Sequence, residues 1–174
     1  MADTHFIAVT TLAVVGVIMF AEAWLSVRHE RVLRERGAIE AEGDVYPIMR
    51  VIYPFCFLIP ALEGGLLGTA STFWWFVGAI LFVVSKLLKY WAIFSLGMRW
   101  TFLVLVLPGE PLVGSGPYRF LRHPNYAAVA GELIAMAIMM AAIITGPLAI
   151  LGFGSLMLQR IRVEDRMLER GSQE

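Results

Sequence analysis

The chain has 174 residues, 59% of them hydrophobic and 16% charged, with a mean hydropathy of +0.73, values that exclude an ordinary soluble domain, a disordered chain and a collagen-like one. Fourteen Lys and Arg balance fourteen Asp and Glu, so no excess basic field attracts nucleic acid. The single cysteine, Cys56, cannot form an internal disulfide, and His5, His29 and His123 lack metal-ligand spacing, so no metal is expected.

What remains is a single all-α integral membrane domain over residues 1–174. Crossing a bilayer takes about 20 apolar residues, and a first span runs from about His5 to Val27, interrupted by Glu22. Its amino end lacks the basic region of a signal peptide, so a retained helix is expected. A second run covers about Ile48 to Leu67, with Pro54 and Pro60 inside it, which predicts a kink, and Glu63 near its end. A third runs from Phe73 to about Leu96 and ends at Gly97; its Lys86 and Lys89 are expected to snorkel to a membrane face. The fourth and fifth, about Tyr126 to Ile144 and Pro147 to Gln159, are separated by Thr145-Gly146-Pro147 and predict a tight antiparallel hairpin. The count is five transmembrane helices.

Basic residues set orientation. They occur from Arg28 to Arg50 between spans one and two, from Lys86 to Arg122 around the end of span three and its loop, and from Arg160 to Arg170 after span five. All fall on one side, which predicts the amino terminus outside and the carboxyl terminus in the cytoplasm. Trp24, Trp91 and Trp100 near one face and Trp74 and Trp75 near the other are expected to form aromatic belts. The segment Glu30 to Asp44 mixes acids, arginines and two glycines and reads as a solvated loop or short surface helix that connects without chemistry.

The chemistry concentrates between Leu107 and Tyr126, where the density of Gly and Pro predicts a shaped loop rather than a helix. His123 precedes Pro124, a natural first residue for the fourth helix. That helix entrance, with Arg119 and Arg122 beside it, suits a carboxylate or phosphate, although the two arginines serve equally well to meet anionic lipid headgroups. The hairpin returns Arg160, Glu164 and Asp165 to the face that carries Arg122 and His123. Arg160 and Glu164, four apart, are also spaced to pair with each other. Glu132 follows Asn125 by two helical turns on nearly the same face, and an acid at that depth is a functional candidate.

Gly116-Pro-Tyr118, Arg122-His-Pro-Asn-Tyr126, Glu132 and Arg160-Ile-Arg-Val-Glu164-Asp165, in this order, resemble the isoprenylcysteine carboxyl methyltransferase family and its phospholipid methyltransferase relatives over about Leu96 to Leu168. The resemblance implies an integral membrane enzyme that takes S-adenosylmethionine in a cytoplasm-facing region, 97–125 with 160–170, and admits a lipophilic or lipidated acceptor from the bilayer. It implies cofactor contacts by Leu112, Val113, Gly116, Tyr118, His123, Pro124, Tyr126, Glu164 and Asp165, and acceptor or catalytic roles for Arg122, Arg160 and Glu132. Two positions depart from the family's pattern. Glu110 stands where the family often has a histidine, and the terminal acidic pair is Glu164-Asp165 rather than two glutamates. The first departure suggests a bacterial-type branch, similar to enzymes acting on acceptors such as lipophilic polyketide products. Tyr118, Tyr126, Glu164 and Asp165 independently suit a sulfonium cation. Two alternatives are an NADPH-dependent membrane sterol-type reductase, which ends in a similar Arg-His-Pro-Asn-Tyr region, and a non-catalytic membrane adaptor. The Gly114-Ser-Gly116 sequence lacks the third glycine of a dinucleotide fingerprint.

Overall fold

A computed structural model describes residues 2–67 and 71–171. Five helices carry the architecture: α1 (Ala2–Glu35), α2 (Tyr46–Leu67), α3 (Thr72–Leu96), α4 (Pro124–Met139) and α5 (Thr145–Gly171). Two short strands, β1 (Ile39–Glu40) and β2 (Leu105–Val106), pair antiparallel with Ile39 opposite Val106. Three helical segments, Thr4–Glu35, Tyr46–Leu67 and Thr72–Arg99, are long and apolar enough to cross a membrane. At 1.5 Å per residue, the 16 residues of α4 extend about 24 Å, short of a hydrocarbon core of about 30 Å.

The helix limits differ from the sequence expectation for local reasons. The first helix continues past Val27 to Glu35 because 28–35 contains no Gly or Pro; it stops before Gly37, whose φ of 84° no helix contains. Residues 30–35 of the solvated connection are therefore helix. Pro54 and Pro60 both lie inside α2, which continues through them. Gly97 closes α3 as expected, with φ 57° and its N–H bonded to the Ile93 carbonyl. The fourth helix ends at Met139 instead of Ile144, and Ala141 turns the chain at φ 47°. The fifth then starts at Thr145, where Glu63 of α2 accepts from the Thr145 N–H at 2.7 Å, from the Ile144 N–H at 3.1 Å and from the Thr145 hydroxyl at 2.5 Å. A carboxylate on a neighbouring helix thus satisfies amides at this helix start that would otherwise lack acceptors. Helix α5 also absorbs residues 160–170, which contain no Gly or Pro and are mostly Arg, Glu, Met and Leu.

Small residues set the packing. At Gly78 a β-carbon would lie 2.5 Å from Met139 Cγ and 2.6 Å from the Ala135 carbonyl oxygen, and at Gly131 it would strike the Ser85 hydroxyl, so α3 and α4 approach closely through both. Gly146 packs in the same way on Ala137 of α4. The core joins Phe57 and Ala61 of α2, Phe82 of α3, Leu133 and Met136 of α4, and Phe153 and Met157 of α5. Cys56 is buried there as a small apolar group. Trp100, expected in an aromatic belt, is only 2% exposed, whereas Trp24, Trp74 and Trp91 are exposed.

Candidate active site

After Gly97 the chain crosses the end of the bundle that carries the basic residues, and α1 and the α1–α2 connection pin it there. His29 Nδ1–H donates to the Trp100 carbonyl at 2.8 Å, and the Phe102 N–H donates to Ser26 Oγ at 2.7 Å. The Val104 N–H reaches Asp44 Oδ2 at 3.3 Å, and β2 then pairs with β1. Further along, Glu110 is gripped by Arg36 at 2.6 Å and by Arg99, which also donates to the Pro111 carbonyl. Glu110 therefore fastens the loop to Arg36, just past the end of α1. Leu112 on this loop is exposed and Val113 half-buried.

Gly116, at φ 60°, lets the 3-10 turn Gly116–Arg119 lie against α3; a β-carbon there would collide with Ser95 Oγ and come within 3.1 Å of Trp91 Nε1. Pro117 is buried beneath the turn. The chain then reaches His123, non-helical at φ −129° and ψ 66°, and Pro124 opens α4 as its first residue.

At this entrance the two sequence-distant polar clusters meet. His123 Nε2–H donates to Asp165 Oδ1 at 3.1 Å, and Arg122 Nη2 lies at the same distance from that oxygen. One turn into α4, the Tyr126 hydroxyl donates to Glu164 Oε2 at 2.8 Å, and the His123 and Tyr126 rings stand 5.7 Å apart, edge to face. Tyr118 is half-buried nearby; burial, and then the Glu164 charge, push its phenol pKa up, so it stays a neutral donor. Asn125, between these residues, has a buried Oδ1 with no hydrogen-bond partner. The structure thus brings together Arg122, His123, Tyr126, Glu164 and Asp165, with Pro124 fixing the helix start.

Arg160 does not pair with Glu164, the alternative to an acceptor-facing role that its spacing offered. Its guanidinium donates to the Phe102 carbonyl, lies 3.5 Å from Asp44 Oδ2 and sits 5.3 Å from the centre of the Tyr46 ring. Asp44 also caps α2 by accepting from the Tyr46 N–H at 3.0 Å. Sequence reasoning passed over Asp44 because it lies in a charged, glycine-containing stretch. An Asp two residues before a helix start, with Pro47 in the first turn, was the available signal.

Glu132 lies deeper. It is fully buried, and its carboxylate faces Lys86 at 3.1 Å and Lys89 at 3.4 Å while accepting from the Tyr53 hydroxyl at 2.6 Å. Both lysines also bond Glu22, each at 2.7 Å. Glu22, Lys86, Glu132 and Lys89 therefore close a ring of four ion pairs among α1, α3 and α4, with Tyr53 adding α2. This corrects the expectation that the lysines snorkel to a membrane face: they are buried because two acids from other helices neutralise them. It also encloses the Glu132 carboxylate that was expected to face an acceptor.

The family profile described as "Isoprenylcysteine carboxyl methyltransferase (ICMT) family" matches residues 78–170. The chain belongs to this family. The matched region starts in α3, includes Lys86 and Lys89, and contains the whole loop, α4 and most of α5, hence His123, Tyr126, Glu164 and Asp165. Glu22, Asp44 and Tyr53 lie outside it and come from α1, the connection and α2. The chain is similar to the uncharacterized protein YpbQ of Bacillus subtilis, 32% identical over 92% of this chain and 96% of that protein. It is also similar to an uncharacterized protein of Haemophilus influenzae, 24% identical over 89% and 91% of the two chains. No solved structure matches it. Family membership and three long apolar helices identify an integral membrane protein of a methyltransferase family.

Proposed function

We propose that this family member transfers a methyl group from S-adenosylmethionine to a lipophilic acceptor, a carboxylate or a hydroxyl, that enters from the bilayer. One observation carries the reading: Arg122, His123, Tyr126, Glu164 and Asp165 converge at the start of α4 from positions about forty residues apart. Their chemistry fits the cofactor. Two carboxylates and two tyrosine rings suit a sulfonium cation and ribose hydroxyls, and the orphaned Asn125 Oδ1 is an acceptor in want of a donor such as an adenine amino group. When bound, the cofactor supplies an electrophilic methyl group.

The remaining work falls to the chain. Tyr126 and His123 hold Glu164 and Asp165 in fixed directions, and the turn at Gly116 to Tyr118, with Leu112 and Val113 on the adjoining loop, covers the cofactor side. Arg122 orients the acceptor, while Arg160, held by Asp44 and the Phe102 carbonyl, fixes the loop behind it. A carboxylate acceptor is already ionised and needs only this orientation and the exclusion of water. A hydroxyl acceptor gives its proton to the His123–Asp165 pair. In this reading Glu132 supports the site from within the bundle. The α4–α5 hairpin enters the bilayer beside the three long helices, with α4 reaching only part of the way across, the amino terminus outside and the site at the cytoplasmic face.

The test is calorimetry with S-adenosylhomocysteine on detergent-purified protein, beside Asp165→Asn and His123→Ala and with NADPH as competing ligand. Binding that either substitution weakens at least about tenfold, equivalent to about 1.4 kcal/mol, supports the reading. Failure to bind the homocysteine, or binding of NADPH in its place, overturns it.

A further inference from the structure

Two apolar pairs outside the helices are exposed, Ile143-Ile144 between α4 and α5 and Phe120-Leu121 between the turn Gly116–Arg119 and α4, and only the second adjoins the candidate site. Phe120 is 72% exposed and Leu121 43%. The other aromatic side chains outside the three candidate spans, Trp100, Phe102, Tyr118, Tyr126 and Phe153, are all buried or half-buried. The exposure of Phe120 instead matches phenylalanines on the spans themselves, such as Phe20 at 75% and Phe94 at 80%. Arginines flank the pair: the Arg119 guanidinium lies 5.6 Å from the Phe120 ring centre, and Arg122 is largely exposed.

Location selects the occupant. Gly116 packs on Trp91 and Ser95, so the turn that carries Phe120 lies beside the last turns of α3, where Phe94 and Trp91 are also exposed. An apolar pair between two arginines, level with the end of a membrane-crossing helix, has the composition of an interfacial anchor. A soluble protein partner would leave the exposed Phe94 beside it unexplained.

We propose that Phe120 and Leu121 form a wedge that inserts into the acyl boundary of the bilayer, with Arg119 at the lipid phosphates. The wedge fixes His123, three residues on, at headgroup depth. The Arg122–His123–Asp165 cluster thereby meets amphipathic molecules whose polar end rests at the interface and whose tail remains in lipid. The inference rests on the membrane reading of α3 and deepens the reading of the site.

Site-directed spin labelling in lipid nanodiscs tests it. In a Cys56→Ala background, nitroxides are placed by Phe120→Cys, by Leu121→Cys, by Phe94→Cys on α3 and by Glu42→Cys on the exposed connection between α1 and α2. Relative accessibility to oxygen and to a water-soluble nickel complex reports depth. The label at 120 is expected to shift toward oxygen as at 94, away from the nickel-accessible value at 42. Position 121 gives the same reading if the 120 variant fails to fold. Nickel-favoured values at 120 or, in its place, at 121, with 94 in lipid, overturn the wedge and leave the spans standing. A nickel-favoured value at 94 overturns both.

Discussion

Removing a complementary pair from the buried ring should cost less than the sum of removing each partner alone. Lys89→Met is the sharpest perturbation, because the Lys89 side chain is 3% exposed and faces Glu22 at 2.7 Å and Glu132 at 3.4 Å. At an effective dielectric of about 20, a pair 2.7 Å apart attracts by about 6 kcal/mol, much of it offset by desolvation. What remains on removing one partner is an uncompensated buried charge, which costs about 3–5 kcal/mol. Glu22→Gln should cost a similar amount for the same reason. The double variant leaves Lys86 opposite Glu132 at 3.1 Å, still bonded by Tyr53, and its net charge is again zero. Its loss should therefore fall short of the sum of the singles by at least about 2 kcal/mol. Equilibrium unfolding in mixed micelles with increasing dodecyl sulfate, followed by circular dichroism, measures all four corners of the cycle. Additive losses, or single losses below about 0.5 kcal/mol, the level of ordinary surface substitutions, would refute the closed ring.

The other expectations are local. Gly116→Ala forces a side chain into φ 60° and against Ser95, at a cost of about 1–2 kcal/mol from the backbone alone; a lower midpoint in the same titration and weaker homocysteine binding check it. Glu63→Ala removes the acceptor at the start of α5 and should cost about 1–2 kcal/mol. Hydrogen exchange localised to Ile144 and Thr145 distinguishes this from global loss. Asp44→Asn leaves Arg160, 9% exposed in its side chain, without its carboxylate and should destabilise by about 3–5 kcal/mol. Faster exchange at Tyr46 and Val104, whose amides Asp44 accepts, would accompany it, and unchanged exchange at both would contradict the assignment.

The helices were legible because apolar runs and backbone punctuation act locally: Gly97 ends α3 and Pro124 starts α4 from properties of single residues. The end of α4 was not legible, because the start of α5 depends on Glu63, more than eighty positions earlier in sequence. The same distinction separates the site. The meeting of His123 with Asp165 followed from a hairpin that returns the chain to one face. Arg160 did not follow, since its spacing to Glu164 satisfied a local rule while Asp44 offered a buried partner from another element.

The ring shows how a nonlocal pairing can still leave a trace. Lys86 and Lys89, three apart, present both ammonium groups on one face of α3, and a face with two cations inside an apolar run requires anions opposite. Glu22 and Glu132 are acids within two other apolar runs, and since Arg50 and Glu63 near the two ends of the second run offset each other, the charges inside the apolar runs already sum to zero before any contact is known. Snorkelling answers one lysine near a helix end; it does not answer two lysines and two acids in matching numbers. Charge balance over all apolar runs, applied before each run is judged alone, points to one shared cluster. That cluster ties α1 and, through Tyr53, α2 to the segment that carries the family match. Helices outside the family region thereby hold α3 and α4 in the register on which the His123 entrance depends.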